Sequence, residues 1–169
     1  MARAAPPVTR TRRAERAVAI TRQEAVERIL TDLATAVERN ALALACLGAA
    51  FETLTTAPAE RLEDELYRPV QRAFGRGKRA HSQFAERSGS QPAAFELPDA
   101  GVASQGARAF VERAVVAAAN ADRALSELQD TMLPIEFGDA DLRAGLSEMR
   151  ELLAPLPVNA REFLRTLGR

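Results

Sequence analysis

Tryptophan is absent, and tyrosine, cysteine and histidine each occur once in 169 residues. Aromatic residues make up 5% of the chain, so its core has to be filled by aliphatic side chains. The single Cys46 leaves no partner for an intrachain disulfide and too few thiols for a cysteine-based zinc site. Set in an apolar run, it reads as a small core residue in a reducing compartment. No histidine or cationic cluster lies beside it in sequence to lower its pKa.

The single His81 excludes the di-iron carboxylate sites of helical bundles, which take Glu-x-x-His pairs from two helices. Cys-x-x-Cys-His haem attachment is excluded as well, and Met132 and Met149 read as core fillers rather than haem ligands. No Gly-x-x-x-x-Gly-Lys phosphate loop is present, and a Ser-His-Asp site would have to use His81. The expectation is therefore no metal, no cofactor and no enzyme activity. After Arg12-Arg13 the charges Glu15, Arg16, Arg22 and Glu24 interrupt any apolar signal-peptide core, which leads us to expect a cytoplasmic protein. The uncharged run between Arg39 and Glu52 is twelve residues, where a membrane span needs about twenty. A core helix is expected there.

What the chain does have is a four-and-three rhythm of apolar residues. Val26, Leu30, Leu33, Val37, Asn40, Leu44, Leu47, Phe51 and Leu54 form one helical stripe, polar only at Asn40. Small residues flank it: Ala34, Ala41 and Gly48 on one side, Ala36, Ala43 and Ala50 on the other. Thr21 and Glu24 form a capping-box pattern that starts this helix near residue 21. Ala57-Pro58 is expected to end it near Thr56.

A second arm opens on the acidic residues Glu60, Glu63, Asp64 and Glu65, which suit a first turn. It carries Leu62, Leu66, Val70, Phe74, Gly77, His81 and Phe84 on one face. Pro69 predicts a kink, and Gly75 and Gly77 a weakened helix. Residues 88–101 read as a long loop pinned by Phe95 and Leu97. The third arm spans Val102 to Met132, along Ala107, Val111, Ala114, Ala118, Ala121, Leu125, Leu128 and Met132. The fourth follows Leu142, Leu146, Met149, Leu153, Leu156, Ala160, Phe163 and Leu167, interrupted at Ala154–Pro157, with Asn159 near the start of its last helix.

These arms predict an all-α fold: an antiparallel four-helix bundle with long heptad-like, coiled-coil-like arms, a kinked second helix and a proline-interrupted fourth. Residues 18–169 form the expected bundle domain, and residues 1–17, with Pro6, Pro7 and scattered arginines, a flexible basic tail. The lone seam residue Asn40 is expected to find a hydrogen bond and to fix register or partner number.

Net charge is zero but segregated. Residues 1–22 hold six Arg and one Glu, and residues 68–87 hold six basic residues and one Glu; the remaining stretches are net acidic. Arg68, Arg72, Arg76, Lys78, Arg79 and Arg87 form a candidate binding stripe for the phosphates of nucleic acid or an acidic surface. The alternative is a solvated face paired with acids of its own bundle, for example Glu60–Glu65 or Glu148 and Glu151.

His81 follows Phe74 by seven residues, and Phe74 follows Tyr67 by seven. This makes it a seam residue in an aromatic stripe. Arg76-Gly-Lys-Arg-Ala-His81 also resembles the Arg-x4-His motif of HEPN domains. That resemblance implies a helical, often dimeric, metal-independent RNase, with Arg76 binding phosphate and His81 acting in acid/base catalysis. Ala80-His81 on the second arm resembles the phosphorylatable histidine of histidine phosphotransfer domains as well. The reading carried forward is a non-enzymatic interaction or scaffold protein, self-associating as a homo-oligomer. Its composition, rich in alanine and arginine, suggests a bacterial source. Polyanion binding is the alternative function.

Overall fold

The computed structural model describes residues 20–168; the basic segment 1–17 lies outside them. Among the described residues there are seven α-helices and no strand. They are α1 (Arg22–Glu52), α2 (Thr56–Leu62), α3 (Arg68–Arg87), α4 (Gly106–Asp130), α5 (Leu133–Glu136), α6 (Ala140–Leu153) and α7 (Leu156–Leu167). A π-helical turn, Glu63–Tyr67, joins α2 to α3, and a 3-10 turn, Ala103–Gln105, precedes α4. The four arms are α1, α2 with α3, α4, and α6 with α7. The bundle is all-α, as its apolar rhythm predicts.

The Thr21 capping box forms in full: the Thr21 hydroxyl accepts from the Glu24 N–H at 3.2 Å, and the Thr21 N–H donates to the Glu24 carboxylate at 2.8 Å. The helix ends at Glu52, earlier than expected. Pro58 does not end it; it sits in the first turn of α2, where a missing N–H costs nothing. Glu60, Glu63, Asp64 and Glu65 accordingly lie a turn or more beyond that helix start.

Pro69 does not break the second arm. The helix widens just ahead of it, and the Arg68 N–H bonds back five residues to the Glu63 carbonyl. The extra residue in that turn makes room for a ring that would collide with the carbonyl four residues back. That carbonyl, of Glu65, receives the Asn159 side-chain amide from α7 at 3.4 Å.

Gly75 and Gly77 do not interrupt α3 either. Gly77 is buried where α1, α3 and α6 meet; a Cβ there would lie 2.7 Å from the Met149 sulfur and 2.8 Å from Val37 Cγ2. Gly145 of α6 faces Ala80 in the same way. The glycines let two arms approach closely. The arm ends at Gly89 (φ 70°), with Ser90 N–H bonded to Ala85 carbonyl, a left-handed helix stop.

All seven residues expected on the inner face of the second arm are buried. Leu142, Leu146, Met149, Leu153, Leu156, Ala160 and Phe163 are buried on the fourth, with a turn at Ala154-Pro155. Seam assignments weaken at arm ends: Leu54, Ala107 and Leu167 are only partly buried, Phe51 is 36% exposed, and Met132 is 48% exposed in a left-handed backbone conformation (φ 63°) beyond α4. In the loop, Phe95 packs on the core but Leu97 is exposed; Ala100 is buried instead.

Directions follow from contacts between arms. Arg87 bonds Asp139, Arg76 bonds Glu148, and Arg61 reaches Thr166, so the second and fourth arms are antiparallel. Arg39 reaches the Asn120 carbonyl, and Arg150 reaches Asp122. α1 packs chiefly on α4 and then on α3, while α3 packs on α6. Every neighbouring pair is thus antiparallel, and the second and third arms run parallel across the diagonal. Residues 88–105 are the single long crossover that returns along the bundle.

Candidate functional site

His81 is 3% exposed. Its ring meets Phe95 of the crossover edge-on, with centroids 5.2 Å apart and planes at 84°. Burial pushes its pKa down, and the Leu30 carbonyl beside it acts only partly in the other direction. Its Nδ1 is buried without a hydrogen-bond partner. It is a neutral core histidine that anchors a loop.

Arg76 lies on another face of α3. It pairs with Glu148 of α6 and passes over Gly145. The charge-assisted bond holds the Glu148 carboxyl below its ordinary range. Arg76 and His81 therefore do not converge on a common surface. The RNase arrangement that their spacing resembles is not assembled, and a phosphoacceptor histidine would have to be exposed.

The stripe divides in two. Arg68 pairs with Glu63 at 3.2 Å and Asp64 at 2.7 Å, and Arg76 is bound to α6. Arg87 grips Asp139 with two bonds, 2.7 and 3.0 Å, and Asp139 also caps α6 through the Leu142 N–H at 2.8 Å. Burial raises the Asp139 pKa, but the Arg87 and Leu142 bonds outweigh it, so the carboxyl is held low. Arg72, Lys78 and Arg79 are exposed and form no ion pair among the described residues; Lys78 lies 4.8 Å over the Phe74 ring.

Asn40 is fully buried and donates to the Val70 carbonyl of α3 at 3.3 Å. Its Oδ1 has no partner. Cys46 is also fully buried, and burial raises its thiol pKa against a smaller lowering by Arg113. The α1 helix is long and apolar enough to cross a membrane, but here its apolar face packs against α3 and α4. Among the described residues no three His, Cys, Asp or Glu side chains converge as metal ligands.

Two surface features escaped the seam reading. One is an apolar groove of about 400 Å³ between α1 and α4, lined by Leu42, Ala109, Glu112, Arg113, Val116 and Ala117. Val116 is 61% exposed. A branched apolar residue off the seam of an alanine-rich helix was its one sequence signal. The other is a cleft of about 290 Å³ at the C-terminal end of α1, lined by Gly48, Phe51, Glu52, Glu63 and Tyr67.

What the fold and these sites define is a class, an all-α helical bundle. No known protein family, characterised protein or solved structure matches the chain.

Proposed function

We propose that the chain is a non-enzymatic interaction protein, a cytoplasmic helical-bundle scaffold that associates with a second copy of itself through the face shared by α1 and α4. The observation that carries this reading is the apolar groove around the exposed Val116, outside the seams that build the core. Light scattering from micromolar to millimolar concentration tests it. The expected result is a mass rising from monomer to dimer, with Val116→Asp holding the monomer. Monomer mass throughout overturns the reading.

A second reading, polyanion binding, draws support from Arg72, Lys78 and Arg79, which α3 leaves exposed and unpaired among the described residues. It predicts binding to single-stranded RNA that weakens steeply with salt and is lost in Arg72→Ala/Arg79→Ala. Arg76 is spared in that variant because it ties α3 to α6. No binding at low salt removes this reading.

A further inference from the structure

The cleft at the end of α1 has a chemistry unlike the rest of the surface. On α1, residues 48, 51 and 52 are spaced by three and four, so they share one face. On the π-helical turn, Glu63 and Tyr67 bracket the widened segment and both border the cleft. The five lining residues are one glycine, two aromatic residues and two carboxylates, with no cation among them. Among the described residues Glu52 forms no ion pair, while Glu63 shares a screened, exposed pair with Arg68. The last turn of α1 carries no basic side chain, so no cation of its own competes at that end of the cleft. Gly48 lies on the floor beside the Tyr67 ring, where a Cβ would be in ordinary contact at 3.9 Å and a branched side chain would fill the cleft. Widened π-turns recur at functional sites.

We propose that this cleft binds an organic cation, an alkylammonium group seated against the Phe51 and Tyr67 rings and neutralised by Glu52 and Glu63. Aromatic faces attract cations, most strongly Trp, then Tyr and Phe, and a carboxylate at the rim adds charge pairing. A site this open predicts millimolar affinity on the order of a few ion-pair and cation–π contacts. The cleft lies on a different flank of α1 from the Val116 groove, so Val116→Asp leaves this binding unchanged and the two readings fail separately.

Tyr67 is the only tyrosine and there is no tryptophan, so intrinsic fluorescence reports on the cleft alone. The full chain is titrated with butylammonium chloride, with 1-butanol and sodium chloride as controls for shape and ionic strength. Saturable change with butylammonium only is expected. Glu52→Gln/Glu63→Gln should weaken it at least fivefold, and Gly48→Leu should abolish it, with the helical circular-dichroism signal retained. An equal response to butanol or sodium chloride, or unchanged affinity in the double carboxamide variant, overturns the proposal. A lysine tripeptide capped at both ends separates the sources. Binding as tight as butylammonium assigns the site to a lysine side chain, and failure of the peptide alone assigns it to a free amine.

Discussion

His81 carries the most information of any single residue. Its exposure is 3%, its ring supports Phe95, and no carboxylate is poised to stabilise its charge. The folded pKa is therefore below the unfolded value of about 6.5, and the unfolded chain takes up the proton first as pH falls. The stability it supports is complete above about pH 6.5 and drains away below it, with a slope of at most about 1.4 kcal/mol per pH unit, until the folded pKa is crossed. Urea denaturation at pH 7.5 and pH 5.0 should show a larger loss for the native chain than for His81→Phe. Equal losses would mean that this ring is not buried as a neutral group. The heptad spacing from Tyr67 and Phe74 already made His81 a seam residue. What that spacing could not give is its neighbour, because Phe95 comes from an irregular loop and has no periodicity to read.

At the scale of elements, periodicity was legible wherever a helix runs through the middle of the bundle. It failed at ends, where Phe51 and Met132 keep the phase of a seam after the neighbouring arms have turned away. Local propensity alone located an irregularity at Pro69 and weakness at Gly77, but only tertiary contacts explain how α3 runs on through both. Pro69 is accommodated by the π-turn and by Asn159 on the Glu65 carbonyl. Gly77 is accommodated because a larger residue would strike Met149 and Val37. Gly75, two residues away, faces open space, and a Cβ added there would meet nothing within 4 Å. The two glycines should therefore respond with opposite sign. Gly77→Leu should cost about 1–3 kcal/mol by overpacking, whereas Gly75→Ala should stabilise by up to about 1 kcal/mol through helix propensity. Denaturation midpoints of the two variants check this. A neutral Gly77→Leu would mean that α3 and α6 are not in close contact there.

On the scale of the whole molecule, the arms form two helical hairpins, α1 with α2–α3 and α4 with α6–α7. One crossover, residues 88–105, joins them. The crossover's ends are tied down by Phe95 on His81 and by Arg113 donating to the Ala100 carbonyl and to Gln105. Each hairpin leaves its apolar seam to be covered by the other, since α1 packs on α4 and α3 on α6. The covalent link contributes an entropy of closure that grows only slowly with loop length, while the interface contributes the buried aliphatic core. Limited treatment with a glutamate-specific protease should cut after the exposed Glu96 of the crossover before any helical site. The two fragments should still elute together at the size of the intact chain and keep its helical signal. Arg113→Ala should speed that cut several-fold by freeing the end of the crossover, without altering the association of the fragments. Fragments that separate on cleavage would show that the crossover, rather than the four-arm core, holds the halves together.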